Sequence, residues 1–568
     1  MTYNKDRNKN ILLVVAFICA TFLVMIFRIY QLAIMKTSNG VDLASYHSEE
    51  FNRSSIASAR RGSIYDINGY PIAMDTTSYS LYAVLQGGDG VEVIDDVDHV
   101  AKVLSQYIDL SRDQILERLL TPDAYQIEFG QAGQDLSQDT KEAIEAEHLA
   151  GIKFQEKSRR VYLNDYFAAH LIGYSSVNEE LSQDLPVEIQ TGQMGIEAML
   201  DEKLSGIKNF RQLIKQDPKL DYLNGEDVYL TLDSRLQNYL DDLMNQAYQT
   251  YKPEQMMAYL VETKTGKLIA SSQRPTFNLN TREGIDQEWK NVLVEEAVEP
   301  GSTIKILTLA TAKNMGLYQD GERFKSGSVQ VYDQIVKDYN GYGWGDITYD
   351  EGLIHSSNVA MVKLVEKMGI DQWEDAISRF GFGKSTQSGL PNEASGNVAF
   401  DNPVNAIMSG FGQGGSATPL QLLQAFTAVA NQGKMLKIQF IDGIGSRGNT
   451  YKLQELGQVF SPETARHVLN VMVQTVEHPE GTAKPFKNNQ VTIAAKTGTA
   501  QIADPDGVGY LTGPNDYYFS VVAFFPAEDP QYMLYMAIKR PTDDHQKMGS
   551  QILAEIFNPF VDNIMLTN

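Results

Sequence analysis

A serine and a lysine separated by two residues, Ser302 and Lys305, stand in the segment EPGSTIKILTLATA (299–312). A proline and a glycine precede good helix formers there, so we expect Ser302 near a helix N-terminus, where the helix dipole stabilises developing negative charge. Lys305 then lies on the same helix face. A serine hydroxyl is a weak nucleophile that needs a base, and a buried lysine with a lowered pKa can accept its proton. The pair therefore has the residue types and the spacing of a nucleophile and its base.

A second pair, Ser356 and Asn358, precedes an amphipathic helical pattern in LIHSSNVAMVKL (353–364). A hydroxyl and an amide two residues apart can face one cleft, where the hydroxyl relays a proton and the amide orients a substrate amide. The alternative is helix capping, for which serine and asparagine are preferred. Taken alone, this pair favours capping.

A third group, Lys496, Thr497, Gly498 and Thr499, lies in VTIAAKTGTAQIA (491–503). The surrounding residues predict a strand that borders a cleft. The lysine supplies positive potential, the two threonines supply hydroxyls for a carboxylate, and Gly498 lets a substrate approach the backbone closely.

Each of the three patterns occurs more than once, so the letters alone do not assign a role. The further copies are Ser205 with Lys208, Ser176 with Asn178, Ser395 with Asn397, and Lys264-Thr265-Gly266. We interpret the first copy as a solvated loop and the last as a turn between two short strands. The set at 302, 356 and 496 differs because all three groups follow one another within one predicted domain.

The elements that must position these side chains are strands at both ends of the C-terminal part, with helices between them. MMAYLVE and KLIASS precede the helical middle, and VTIAAKTGTAQ, YYFSVVAFF and YMLYMAI follow it. This order predicts a mixed α/β fold, in which helices cover an antiparallel sheet. We place the start of this domain after a polar stretch rich in turn residues, so that it covers residues 227–568.

Residues 36–226 are predicted to form a separate β-rich domain. The segment ARRGSIYDINGYPIAMDTTSYSLYAVL (59–85) has alternating apolar residues, and Asn68-Gly69 marks a hairpin turn. We expect Arg61 and Asp66 to tie this extended arm together without taking part in chemistry.

An apolar run predicts a single transmembrane anchor over residues 11–35. Ile11 to Phe27 contains no charged residue and would span about 25 Å as a helix. Basic residues in the preceding tail (1–10) favour a cytoplasmic N-terminus, with the rest of the chain exported. A cleavable signal peptide is the alternative, but the run is longer than a typical signal and no A-x-A cleavage site follows closely.

The charge and the cysteine content exclude several classes of function. A formal net charge of -24 over 568 residues argues against nucleic-acid binding, which needs clustered lysine and arginine. The only cysteine, Cys19, permits neither an intrachain disulfide nor a cysteine-based metal cluster. The eight histidines form no H-E-x-x-H or H-x-H group, so we expect no metal and no cofactor. His355 is interpreted as a packing or cleft-wall residue.

The order S-x-x-K, S-x-N, K-T-G makes the chain resemble a class B penicillin-binding protein. Four further segments are similar to family signatures: RRGSIYDINGYP, RRVYLNDYF, GQMGIEAML and SGFGQGGSATPLQ. The likeness therefore covers almost the whole chain. Leu163 replaces the family's proline after Arg160-Val161-Tyr162, a departure that concerns a loop. The motifs are most similar to the Gram-positive, division-associated branch, and we expect a member without C-terminal PASTA repeats.

This resemblance implies a penicillin-binding transpeptidase fold with a helical subdomain, preceded by a pedestal or dimerisation-type domain. The implied reaction is peptidoglycan D,D-transpeptidation, in which stem peptides are cross-linked through a serine acyl-enzyme. The implied roles are Ser302 as nucleophile, Lys305 as base, Ser356 as proton relay with Lys305 and Lys496, Asn358 as support for the donor peptide, Thr497 and Thr499 as carboxylate ligands, and the backbone N–H groups of Ser302 and Thr499 as oxyanion hole.

The resemblance also implies partners and a location. The implied partners are stem peptides, β-lactams, a SEDS-type glycan polymerase and other division proteins, and nucleic acid is not among them. The implied location is a cell membrane, with the catalytic domain outside the cell. Three alternatives stay open. A β-lactamase would need a device that activates water, a β-lactam sensor would have several spans or a zinc protease motif, and a catalytically silent division scaffold would not need the intact motif residues.

Overall fold

The computed structural model describes residues 15–16, 18–28, 37–38, 41–42, 60–87, 91–177, 190–205, 224–398, 400–502, 504, 509–543 and 546–567. Of the predicted anchor over 11–35, residues 15–16 and 18–28 are helical, and the rest lies outside the described residues. None of the helices described combines the length and the apolar character that crossing a membrane requires.

The strands of the described residues are, in chain order, β1 (Thr37–Ser38), β2 (Val41–Asp42), β3 (Ile64–Tyr65), β4 (Pro71–Val84), β5 (Gln126–Glu128), β6 (Ile152–Tyr162), β7 (Ser175–Val177), β8 (Gln190–Gly192), β9 (Val228–Leu230), β10 (Pro253–Glu262), β11 (Lys267–Arg274), β12 (Arg323–Lys325), β13 (Ser328–Val331), β14 (Gln334–Lys337), β15 (Asp346–Thr348), β16 (Asn397–Val398), β17 (Gly415–Ser416), β18 (Lys434–Leu436), β19 (Ile441–Ile444), β20 (Glu455–Gln458), β21 (Ala494–Gln501), β22 (Tyr517–Phe525) and β23 (Tyr532–Pro541).

The helices from residue 97 onwards are α1 (Val97–Leu104), α2 (Arg112–Leu119), α3 (Gln138–Ala146), α4 (Ala169–Ile172), α5 (Gly195–Met199), α6 (Asp201–Leu204), α7 (Ser234–Tyr251), α8 (Lys305–Asn314), α9 (Tyr349–Ile354), α10 (Asn358–Met368), α11 (Ile370–Arg379), α12 (Pro403–Met408), α13 (Pro419–Ala430), α14 (Pro462–Glu477) and α15 (Gly549–Thr567).

A five-stranded sheet forms the centre of the C-terminal part, in the order β11-β10-β23-β22-β21. Every neighbouring pair is antiparallel. Strands from both ends of this part pair directly, because β10 and β23 align from Pro253↔Pro541 to Glu262↔Tyr532. The sequence prediction of an antiparallel sheet is confirmed, and β21, with the lysine of the third pattern, is an edge strand.

Helices cover both faces of this sheet. Successive strand residues point to opposite faces, so Met256 packs in a core with α7 and α15, while Met257 packs in a second core with α8, α13 and α14. Helix α8 is buried along its first eight residues, Lys305 to Ala312. A helix that is buried all round belongs to the centre of a large core. Its first residue is therefore held rigidly inside the molecule.

A second sheet joins the N-terminal part to the C-terminal part. Its order is β19-β9-β3-β4-β5, and β6 pairs with β4 from Ala73↔Tyr162 to Ala83↔Ile152. Strands β3 and β4 form the hairpin predicted at Asn68-Gly69, where Gly69 has φ of 88°. Strand β9 begins just after residue 227 and runs parallel to β3. The sheet thus draws on both sides of the predicted boundary.

Arg61 ties the arm before β4 to its surroundings, and Asp66 closes the arm's own turn. Arg61 donates to Glu197 at 2.7 Å and to Asp201 at 2.6 Å. Asp66 accepts hydrogen bonds from the backbone N–H groups of Asn68 and Tyr70, both at 2.8 Å. Both residues hold the arm in place, as the sequence interpretation expects, but they do so with different partners.

Candidate active site

The serine of the first pattern lies in a tight turn that leads directly into α8. Gly301–Ile304 form a 3-10 turn, and α8 begins at Lys305, so Ser302 lies within the turn, three residues before the helix. Gly301 has φ of 55°, a conformation that is strained for a residue with a side chain. Ser302 is partly exposed, as a nucleophile that meets a substrate must be.

Lys305 is fully buried and is bound to the second pattern. Its Nζ donates to the carbonyl oxygen of Ser356 at 2.7 Å, to the Ser356 hydroxyl at 3.2 Å and to Asn358 Oδ1 at 2.7 Å. Burial, together with the positive charge of Lys496, lowers the pKa of Lys305 well below that of an exposed lysine. A lysine with a lowered pKa loses its proton more readily than an exposed lysine and can act as a base.

Ser356 connects the first and third patterns through one oxygen atom. Its hydroxyl lies 3.2 Å from Nζ of Lys305 and 3.0 Å from Nζ of Lys496. The residue stands between α9 and α10 with φ of 59°. Such a left-handed conformation costs about 1–3 kcal/mol for a residue with a side chain and is concentrated at functional sites. The backbone here is shaped to present the hydroxyl.

Helix capping, the alternative for the second pattern, is carried out by the residue in between. Ser357 caps α10, and its hydroxyl accepts the N–H of Ala360 at 3.0 Å. Asn358 is the first residue of α10, and its Nδ2 donates to the carbonyl oxygen of Lys337 at 3.0 Å. Ser356 and Asn358 therefore have no capping role, and Ser356 Oγ and Asn358 Oδ1 face Lys305.

Asp338 belongs to the site although no sequence pattern indicated it. It is 2% exposed and accepts hydrogen bonds from the Ser357 hydroxyl at 2.8 Å, the Val359 N–H at 3.1 Å and the Gly327 N–H at 2.7 Å. These bonds fix the start of α10. The charge of Asp338 also opposes the decrease of the Lys305 pKa. It follows directly after β14, and only the tertiary fold brings it to α10.

Lys496 stands on β21 with its side chain fully buried. Its Nζ donates to the Ser356 hydroxyl at 3.0 Å and to the carbonyl oxygen of Thr497 at 2.8 Å. Burial lowers the pKa of Lys496 to about 7, because an ammonium group loses its hydration there. Thr497 is partly buried and Thr499 is exposed. The two threonines lie two residues apart on the strand and therefore share a face.

Strand β21 packs against the turn that carries Ser302. A Cβ atom at Gly498 would lie 2.3 Å from Ser520 Oγ and 3.2 Å from the carbonyl oxygen of Pro300. The sequence argument that Gly498 leaves room for a substrate is therefore incomplete, because the protein's own atoms fill that space. The carbonyl oxygen of Thr499 lies 3.1 Å from the Cβ position of Gly301. The two segments predicted to form an oxyanion hole are thus adjacent.

An open cleft of about 660 Å³ continues from this point. Its lining includes Ala500 and Gln501 of β21, together with Glu299 and Tyr510. A volume of this size is typical of ligand sites. Since Glu299 precedes Ser302 by three residues and Ala500 follows Thr499, the cleft extends the candidate site along the strand.

The further copies of the patterns do not join this site. Lys264-Thr265-Gly266 forms the turn between β10 and β11, as predicted, and Lys264 pairs with Asp529 at 2.7 Å. Asn397 lies in β16, while Asn178 and Lys208 lie outside the described residues. His355 stacks on Trp344 with ring centroids 4.9 Å apart, in agreement with the packing role expected for it.

One cluster of the described residues has ligand types that suit a metal ion. Side-chain atoms of Asp320, Asp350 and His467 lie within 4.8 Å of one another. Asp320 also pairs with Lys313, and Asp350 accepts the Tyr318 hydroxyl at 3.1 Å. These groups already have partners, and none of them contacts the three patterns.

Comparisons with known proteins place the chain in a family. The sequence profile of the penicillin binding protein transpeptidase domain matches residues 256–562, and that of the penicillin-binding protein dimerisation domain matches residues 56–224. Stage V sporulation protein D of Bacillus subtilis is 28% identical over 588 residues, which cover 99% of this chain and 85% of that protein. Peptidoglycan D,D-transpeptidase FtsI of Escherichia coli is 27% identical over 530 residues, which cover 90% of this chain and 84% of that protein.

A solved structure is similar over most of its length. The crystal structure of penicillin binding protein 2X from Streptococcus thermophilus superposes with a TM-score of 0.75 at 30% sequence identity, covering 90% of this chain and 80% of that one. The transpeptidase profile alone spans more than half of the 568 residues. The chain belongs to the class B penicillin-binding proteins, which combine a dimerisation domain with a transpeptidase domain.

Proposed function

We propose that this protein is a serine D,D-transpeptidase that cross-links peptidoglycan stem peptides and is acylated by β-lactams. The observation that carries the proposal is the contact between three sequence patterns: Lys305 and Lys496 both reach the hydroxyl of Ser356, next to the turn that holds Ser302. The names of the E. coli and B. subtilis relatives, and the similarity to penicillin binding protein 2X, support the same reaction.

The first half of the reaction forms an acyl-enzyme. The Ser302 oxygen attacks the penultimate D-Ala carbonyl, and its proton moves to neutral Lys305. The C–N bond to the terminal D-Ala then breaks, and Ser356 passes a proton from the lysine pair to the departing amine. The backbone N–H groups of Ser302 and Thr499 stabilise the oxyanion, where losing one donor costs roughly a hundredfold or more in rate.

The second half forms the cross-link. An amine of a neighbouring stem peptide attacks the acyl carbon, a new C–N bond forms, and the Ser302 ester bond breaks as the serine regains a proton. Asn358 holds the donor peptide in both halves, whereas Thr497 and Thr499 bind its terminal carboxylate in the field of Lys496 only during the first half, before the terminal D-Ala leaves. A β-lactam acylates the same serine because its strained amide resembles the D-Ala-D-Ala end.

We further propose a cytoplasmic tail (1–10), a single membrane anchor (11–35), a pedestal (36–226) and an extracytoplasmic transpeptidase domain (227–568), in a protein of the Gram-positive division-associated branch. Phe22, Leu23 and Val24 are each more than 60% exposed, which suits a lipid or protein environment.

The anchor would also pack against a SEDS-type glycan polymerase. Exchange of residues 11–35 for an unrelated membrane helix should abolish co-purification with such a polymerase, and undiminished co-purification would count against the contact.

Labelling by a fluorescent penicillin tests the reaction. The full-length protein in isolated membranes should form a stable adduct that mass spectrometry locates on Ser302, and Ser302→Ala should remove it. Ser205→Ala, at the second S-x-x-K spacing, is the matched control and should label like the wild type. An adduct on another residue, or none, would refute the proposal, whereas rapid hydrolysis of the adduct would favour a β-lactamase.

A further inference from the structure

Glu299, three residues before Ser302, is a partly buried residue whose carboxylate the proposed reaction does not use. The segment around it runs beside the loop 412–417. Val298 and Ala417 exchange two backbone hydrogen bonds of 2.9 Å, and the N–H of Gly301 donates to the carbonyl oxygen of Gly412 at 3.1 Å. The turn that carries Ser302 therefore lies directly on this loop.

The Glu299 carboxylate connects three segments. Its Oε1 accepts the N–H of Gly414 at 2.9 Å and the hydroxyl of Tyr510 at 3.1 Å. Its Oε2 is buried and has no hydrogen-bond partner, and no described cation pairs with the group. Burial raises the pKa of Glu299. A buried carboxylate oxygen without a hydrogen-bond partner is costly, so packing alone does not account for a glutamate here.

The contact between the loop and the turn is close enough to transmit a displacement. A Cβ atom at Gly412 would lie 1.9 Å from the carbonyl oxygen of Gly301, so the two backbones touch without side chains between them. Gly301 has φ of 55° and is followed directly by Ser302. If the loop lost its bond to Glu299, the turn would lose its support on this side, and misplacement by about 1 Å can reduce a rate a hundredfold.

We propose that Glu299 is a positioning residue, whose carboxylate holds Gly414 and Tyr510 against the turn of Ser302 so that the serine hydroxyl and its N–H are aligned for acylation. The inference rests on the proposed function, because it concerns acylation of Ser302. It adds a residue outside the S-x-x-K, S-x-N and K-T-G patterns. Glu299 acts on the reaction only through the turn and does not contact the reacting atoms.

The test is the acylation rate of the full-length protein with a fluorescent penicillin, resolved into a binding step and an acylation step. Glu299→Ala should lower the acylation step about tenfold to a hundredfold, with a smaller effect on binding. Glu299→Gln keeps an acceptor for Gly414 and Tyr510 and should restore most of the rate. Glu295→Ala, which removes a partly buried glutamate four residues away, should leave the rate unchanged.

Further variants distinguish positioning from folding. Tyr510→Phe should slow acylation when it is made in the wild type. It should have no added effect in Glu299→Ala, because both changes remove the same hydrogen bond between Tyr510 and Glu299. If Glu299→Ala unfolds below the assay temperature, Tyr510→Phe alone decides, and an unchanged rate would overturn the inference. Equal rates for Glu299→Ala and Glu295→Ala would also overturn it. An unlabelled wild-type protein would refute the proposed function instead.

Discussion

At the scale of single residues, two buried lysines share one hydroxyl. Lys305 and Lys496 are both 0% exposed, and both donate to Ser356. Two ammonium groups so placed repel each other, and each pays the cost of burial without a carboxylate at contact distance. The arrangement therefore favours a state in which at most one of the two lysines is positively charged at neutral pH. A base and a proton relay need that state.

The pH dependence of acylation should report this coupling. Lys305 must be neutral to accept the Ser302 proton, so the rate should rise with pH through the Lys305 pKa, which lies well below 10.5. Lys496→Met removes a positive charge that depresses this pKa. The rising limb of the pH profile should then move to higher pH, by about 1 unit if the repulsion is about 1.4 kcal/mol. Stopped-flow labelling across pH measures the limb separately from the overall rate.

Two variants control this prediction. Lys264→Met, in the second K-T-G copy, should leave the limb in place, because that lysine pairs with Asp529 at a turn. Asp338→Asn should move the limb to lower pH, because the Asp338 charge raises the Lys305 pKa. An identical limb in all variants would contradict the coupling between the two lysines.

At the scale of elements, the role of each sequence pattern depends on where its strand or turn lies in the fold. The sequence predicted the strand around Lys496 and the turn around Lys264, because apolar alternation and turn residues are local signals. It did not reveal Asp338, Ser357 or Glu299 as site residues. Their contacts depend on how β14, α10 and the loop 412–417 pack, and no local spacing encodes that packing. The pairing of β10 with β23 is likewise a long-range contact that the pattern of strands leaves open.

Matched glycine variants should separate the two K-T-G copies. Gly498→Ala places a Cβ atom 2.3 Å from Ser520 Oγ, which should cost about 1–3 kcal/mol and push β21 from the Ser302 turn. Gly266→Ala meets the Lys437 carbonyl oxygen at 2.5 Å, with φ of 73°, and should also destabilise the protein. Only Gly498→Ala should slow penicillin acylation, measured on folded protein together with thermal unfolding.

A second change tests the stated cause. Ser520→Ala removes the nearest clashing atom, so Gly498→Ala combined with Ser520→Ala should recover part of both the stability and the acylation rate. The pairing argument is wrong if Gly266→Ala slows acylation as strongly as Gly498→Ala.

At the scale of the whole molecule, a shared sheet joins the two parts of the chain, and a buried ionic network holds the N-terminal part together. The sequence placed a boundary at 227 because periodicity is lost before it. However, β3 and β9 are too short for the sequence to reveal that they pair across that point. Glu197 is completely buried between Arg61 at 2.7 Å and Arg160 at 2.8 Å. Burial alone would raise the pKa of Glu197, but the charges of Arg160 and Arg61 outweigh it and lower that pKa.

Glu197→Gln should therefore weaken the N-terminal part without changing the candidate active site. Loss of one partner from a buried ion pair costs about 3–5 kcal/mol, and the lower end applies because Asp75 and Asp201 remain beside the arginines. Urea unfolding followed by limited proteolysis should show earlier cleavage before residue 227. Glu202→Gln, an exposed glutamate on α6, is the control and should behave like the wild type. The penicillin acylation rate below the transition should stay unchanged. A parallel decrease of that rate would mean that the N-terminal part controls the geometry around Ser302.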